Sequence, residues 1–336
     1  MRKVLLIGLL WTICLAVQAQ DIQYSQFYAA PIYLNPAMTG ASELTRIGVN
    51  YRNQWPGLNQ SITSYSTYVD HYMFNINSGV GIIMNRSQQS SAQLSTMEVG
   101  ASYAYRLQIS SQGYLRMGGQ VSYFARDAYF GNLIFGSQLD PNSDQIIGPS
   151  GETLGNDSKH RFMDYSFGIL FNNQNAWLGI SGHHLTEPNT SFVDDQTSKL
   201  PMKISAHGGM KFDLVGGNYG AASNRSLTFA FNYKTQGQFQ QLDMGTQLDI
   251  NPLVLGLWYR GIPISKQETP NHESLIGLLG LSFGSGIDIG YSYDFTLSKL
   301  GNSVSGGAHE ISLRYSFMAG DSRLRGKTSS MPCFKY

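Results

Sequence analysis

The sequence predicts an all-β fold: a transmembrane antiparallel β-barrel of about 14 strands, with an N-terminal plug or cap segment ahead of the first strand. Three observations carry this reading. Apolar and polar residues alternate strictly along many stretches, which is the period of a strand whose two faces meet different surroundings. Charged residues make up only 13% of the chain, against roughly 25% in ordinary soluble domains, while glycines number 37 and aromatics reach 12%. No part of the chain after residue 19 holds the roughly 18 consecutive apolar residues that a membrane-spanning helix needs.

The chain opens MRKVLLIGLLWTICLAVQA. A basic start, an apolar run and a small-residue exit read as a signal peptide over 1–19, cleaved after Ala19. Trp11, Thr12 and Ile13 precede Cys14 where lipoprotein processing wants small residues. After cleavage one cysteine remains, Cys333, so no disulfide framework can form within the mature chain.

Residues 20–43 form the plug or cap. Pro31 and Pro36 discourage a ladder strand there, yet the segment is apolar enough to need burial. Packing inside the barrel and capping its periplasmic mouth are the two options. The barrel itself occupies 44–318. A periplasmic tail follows at 319–336, with Arg323, Arg325, Lys327 and Lys335 able either to dock a partner or to stay solvated.

Strands are expected at 44–53, 62–73, 78–87, 95–108, 113–127, 161–172, 176–184, 203–213, 225–235, 240–250, 253–261, 273–284, 286–297 and 307–318. Ile47, Val49 and Tyr51 set the pattern in the first, and Ile311, Leu313, Tyr315 and Phe317 in the last. Residues 275–283 are apolar on both faces, so their register is ambiguous. Tight turns at 172–176, 250–253 and 284–286 alternate with long segments at 128–160, 185–202, 261–272 and 298–306. Short turns on one side and long loops on the other suit an outer-membrane barrel. An even strand count with both termini periplasmic puts the long loops outside; 214–224 is long for a periplasmic turn.

The alternative is a soluble sandwich, in which the apolar face would look inward and the polar face would meet water. In a barrel the apolar face meets lipid, where a basic side chain at mid-bilayer costs about 2–4 kcal/mol. Glu98, Arg106, Arg116, Asp288, Asp294, Glu310 and Arg314 all fall on the other parity, as do Lys211 and Asp243. A mixed-charge ionic network lining the lumen is therefore expected. Fourteen strands sit between filled eight-stranded barrels and open porins, so side chains, loops or a plug must fill the interior.

Arg52, Asn53, Gln54 and Trp55, in NYRNQWPG, are the candidate partner-binding residues, since Trp and Arg are frequent binding anchors. Trp55 at the membrane interface is the plainer alternative. His309 and Glu310 are strand neighbours and so point to opposite faces; the same reasoning excludes His183 and His184 as a metal pair. No G-x-S-x-G occurs, and GSGIDIG at 284–290 is a hairpin turn without the helix a dinucleotide site requires. No catalytic residue, metal site or cofactor is expected, and a net charge of +1 gives no reason to expect nucleic acid.

YSQFYAAPIYLNPAMTG at 24–40, RIGVNYRNQWPG at 46–57, YSYDFT at 291–296 and GGAHEISLRYSF at 306–317 together closely resemble the PorP/SprF family of the Bacteroidota type IX secretion system, and in the same order. The resemblance implies a cell outer membrane barrel tied to protein secretion and gliding motility. It further implies binding and anchoring of the C-terminal targeting domain of a secreted cell-surface adhesin, with periplasmic secretion or gliding components as further partners and the lipid bilayer as surroundings. A general core role in type IX secretion is the alternative within the family; a transport pore is the alternative from the mixed-charge lumen.

Overall fold

The computed structural model describes residues 21–90, 93–129, 157–192, 197–214, 225–262 and 271–319, and six positions between 138 and 148. The expected signal peptide, most of the 128–160 connection, the turn after residue 214 and the tail beyond 319, including Cys333, lie outside them.

Fourteen strands form: β1 (Thr45–Gln54), β2 (Ile62–Met73), β3 (Ser78–Gln89), β4 (Leu94–Gln108), β5 (Tyr114–Tyr129), β6 (Asp157–Asn172), β7 (Ala176–His183), β8 (Lys203–Leu214), β9 (Arg225–Gln236), β10 (Phe239–Ile250), β11 (Leu253–Ile262), β12 (Asn271–Ser282), β13 (Ile287–Thr296) and β14 (Ala308–Phe317). Each pairs antiparallel with the next, and β1 pairs with β14, so the sheet closes. Closure removes every unpaired edge, the condition for a sheet to span a bilayer. The expected strands are all present, with ends displaced by a residue or two. The exception is β6, which starts at Asp157 rather than 161.

Alternation decides the two faces. Ile47, Val49, Ile82, Met84, Val121, Ile169, Leu257, Leu279 and Leu313 stand outward, while Arg46, Asn50, Arg116, Ser166, Asp243, Ser292 and Glu310 are buried inside. The ambiguous run of β12 resolves the same way: Leu275, Leu279 and Leu281 are exposed, and Ile276 and Leu278 are buried. Its inner face is apolar because Ile276 and Leu278 share an apolar cluster with Trp258, Phe27 and Tyr28.

Phe27 and Tyr28 belong to the segment ahead of β1. Two short 3-10 turns (Phe27–Ala29 and Pro36–Met38) flank a single helical turn, Pro31–Leu34. The prolines that rule out a ladder strand open two of these turns. The segment's path follows from its contacts. Asp21 meets Lys203, His184 and Gln236 where β7, β8 and β9 reach the long-loop mouth. Asn35 hydrogen-bonds the Ile169 and Ile180 carbonyls midway along the wall. The Gly40 amide donates to Asp70, and Glu43 pairs with Arg106, at the short-turn mouth.

The ends of the wall, Thr45 and Phe317, are register partners at the short-turn mouth, whereas residue 21 sits at the opposite one. The expectation that both termini lie on one side therefore holds for the strands and not for residue 21. An apolar segment fixed to β1 at one end gains burial only by running back along the inner wall.

Inward-facing glycines make the room. A Cβ on Gly118 would lie 2.5 Å from the Ala37 amide nitrogen, and one on Gly79 would lie 2.2 Å from the Thr39 carbonyl oxygen. A Cβ on Gly168 would fall 1.9 Å from Asn35 Oδ1.

Candidate functional site

Five strands and the segment converge on one patch of inner wall near the long-loop mouth. The Arg52 guanidinium donates to Asp294 at 2.8 Å and to Glu310 at 3.2 Å. Arg260 donates to the same Asp294 oxygen at 3.0 Å and to Asp243 at 2.7 Å. The Ser25 and Gln26 amides donate to the Glu310 carboxylate at 2.7 and 3.0 Å, and the Ser25 hydroxyl donates to Asp294 at 2.7 Å. Two arginines, three carboxylates and two backbone amides thus pair in a buried site, although Arg52 Nε, Asp243 Oδ2 and Asp294 Oδ1 have no hydrogen-bond partner among the described residues. Pairing is the condition under which buried charge is tolerated.

The other inward charges form separate groups rather than one network. Arg314 clasps Asp288, its register partner on β13, through two N–H bonds of 3.0 and 2.8 Å. Arg46 does the same to Asp70 on β2 and donates to the Met38 carbonyl. Glu98 forms no ion pair among the described residues; Asn85, Gln120 and Ser122 donate to it at 2.8, 3.0 and 2.7 Å. Arg106 pairs with Glu43 of the segment. Arg116 lies within the wall with no ion pair among the described residues.

Strand parity identifies Arg46, Asp70 and Arg260 as inward as readily as the residues named from sequence. Asp21, Ser25, Gln26 and Glu43 carry no such signal. Their roles depend on the path of a segment without period.

The partner-binding set divides. Arg52 is buried in the ionic patch, because alternation turns it away from its neighbours, and it is corrected here to an interior residue. Asn53, Gln54 and Trp55 stay at the rim, half-buried. The Trp55 amide donates to the Gly307 carbonyl and the Gly57 amide to Ser305, so the Trp55-Pro56-Gly57 loop is strapped to the turn ahead of β14.

His183 and His184 also need correction. β7 ends at His183, and His184 adopts a left-handed conformation with φ of 58°, so alternation stops and both rings point inward. The two His184 ring nitrogens lie 2.8 Å from Asp164 and 2.9 Å from Asp21. Burial opposes a charged ring, but the two carboxylates outweigh it and push the His184 pKa up to about 9. Burial would likewise raise the Asp21 carboxyl; His184 and Lys203 overcome this and hold it well below the usual range. Among the described residues no group of three or more His, Cys, Asp and Glu is arranged to hold a metal ion.

These residues floor a vestibule open to solvent at the long-loop mouth. Tyr33, the stacked pair Phe124 and Phe162, Glu98, Asp164, Arg126 and Lys203 line it. His183 Nδ1 lies 3.1 Å from Ser166 Oγ on its wall. The second His183 nitrogen faces the Leu34 carbonyl rather than a carboxylate, so the pair lacks the orienting acid of a hydrolytic triad.

Comparison with solved structures agrees with the architecture. The chain overlays on the CymD monoaromatic hydrocarbon channel with a TM-score of 0.53 at 13% identity, covering 87% of this chain and 93% of that one. It also matches, more loosely, the Acinetobacter baumannii outer membrane protein Omp33, with a TM-score of 0.42 at 9% identity over 84% of this chain and all of that one. No curated protein sequence matches. The model of the family described as type IX secretion system membrane protein PorP/SprF matches residues 16–315. With a closed wall, an apolar outer face and nearly its whole length inside that match, this outer-membrane barrel belongs to the PorP/SprF family of the type IX secretion system.

Proposed function

We propose that the barrel is a binding and anchoring protein: it holds the C-terminal targeting domain of a secreted cell-surface adhesin at the long-loop mouth and catalyses no reaction. The observation that carries the reading is the segment at 21–43. It runs from mouth to mouth against the inner wall, held by the Glu310 and Asp294 patch at one end and by Arg46, Asp70 and Arg106 at the other. An interior crossed in this way suits a scaffold better than a conduit, and it leaves a vestibule and a strapped Trp55 loop facing the side on which a secreted client arrives. Family membership supplies the secretion context, and coupling to periplasmic secretion or gliding components is part of the same reading.

Affinity purification of the tagged barrel from membranes of cells making the client should recover a large secreted protein. Recovery of none would overturn the proposal. Substituting Trp55→Ala should cut recovery severalfold while leaving the barrel folded. In planar bilayers the wild-type protein should be electrically silent, and a steady current would point instead to a transport pore.

A further inference from the structure

We propose that the inner wall at the short-turn mouth binds a small oxyanion of the phosphate or sulfate type, held by Arg116, Arg106 and Asn172. Arg106 on β4 and Arg116 on β5 are direct register partners, and both point inward. Like charges directly opposite one another on a sheet repel. Glu43 pairs with Arg106, so one carboxylate faces two guanidinium groups and the local balance is one positive charge.

Arg116 is 1% exposed, and its Nε and Nη1 donors have no hydrogen-bond partner among the described residues. Asn172, on β6, is equally buried, and neither its amide nitrogen nor its amide oxygen is partnered there. Tyr114 is the register partner of Asn172, which places Asn172 diagonally across from Arg116, within the reach of two long side chains.

The two rings beside these arginines leave only edge donors free. The Arg106 guanidinium carbon lies 4.7 Å from the Tyr72 ring centre and 4.9 Å from that of Tyr114, and the Arg116 carbon lies 5.5 Å from Tyr72. Faces covered by rings and N–H edges left open is how guanidinium groups present themselves to an oxyanion. A buried guanidinium with open donors is costly, and a bound oxyanion accepts from both arginines and from the Asn172 amide. The group lies on the lumen side of the wall, so a lipid phosphate on the outer face cannot reach it. Ala41 and Met38 share an apolar cluster with Leu170 and Trp177 beside it, so the bound ion also braces the segment's exit into β1.

The test is equilibrium dialysis of the full chain in detergent against radiolabelled inorganic phosphate, with chloride holding ionic strength constant. About one phosphate per chain is expected, together with a rise in the thermal midpoint that chloride does not reproduce. Absence of binding to the wild-type protein overturns the proposal. Arg116→Gln and Asn172→Ala locate the site, and each should weaken binding tenfold or more. Asn172→Ala keeps every charge and serves if Arg116→Gln fails to fold. Binding that survives unchanged in the folded variants also overturns the proposal.

Discussion

Two stretches of the segment at 21–43 are held in opposite ways. Residues 21–26 are held by charge: Asp21 to His184 and Lys203, and Ser25 and Gln26 to the carboxylates that Arg52 and Arg260 neutralise. Residues 32–41 are held mostly by shape. Ile32 packs with Tyr68 and Ile83, and Pro36, Ala37 and Thr39 lie against walls kept clear by Gly118 and Gly79. Charge-held contacts answer to pH and salt; shape-held contacts answer to volume. Charge also ties Gly40 and Glu43 to Asp70 and Arg106 at the short-turn mouth, but the charge-held residues at the long-loop end are the ones facing the vestibule.

The largest effect is expected at Arg52. Arg52→Met leaves Glu310 and Asp294 buried with one fewer cation, and breaking a buried pair this way costs on the order of 3–5 kcal/mol. Urea unfolding of the barrel in vesicles measures it. Arg52→Met with Glu310→Gln should recover part of the loss; failure of the double variant to recover any would mean that the patch is not a coupled unit. A smaller loss is expected from Gly118→Val, whose added carbons meet the Ala37 backbone, with overpacking typically costing about 1–3 kcal/mol. If the shape-held half moves away instead, stability is retained and the bilayer becomes conductive. Either outcome separates Gly118 from a solvent-facing glycine; no change in stability or conductance would deny the contact.

How much of this the sequence discloses follows the same division. A two-residue period with charges confined to one parity locates the wall, its closure and the inward placement of Glu98, Arg106, Arg116, Asp288, Asp294, Glu310 and Arg314. It does not say which charges meet. Partners such as Arg314 and Asp288 follow from register, but Glu43, Ser25 and Gln26 reach Arg106, Glu310 and Asp294 along a segment with no period to read. Parity already puts Arg52 on the polar face of the first strand; reading NYRNQWPG as a binding motif is what sets Arg52 among partner-binding residues. Parity misjudges His184 because one left-handed residue ends the alternation.

The smallest effect sharpens the contrast most. A short epitope placed between Gln20 and Asp21 should be labelled from outside intact cells, because Asp21 sits at the long-loop mouth. Labelling only after permeabilisation would reverse the path of the segment. Burial of the labelled end should then depend on pH with a defined sign. The His184 pKa is raised to about 9 from an ordinary value near 6.5, so its contribution is complete below that ordinary value and fades as pH rises through about 9. Asp21 is depressed, so its contribution is present at neutral pH and fades only in strong acid. Protease cleavage near residue 21 should therefore quicken between pH 7 and 10. The change should be modest, because Lys203 still holds Asp21 at 2.6 Å after His184 loses its proton. His184→Gln should show the high-pH rate already at pH 7. Unchanged cleavage in that variant would mean that the shape-held residues alone keep the segment in place.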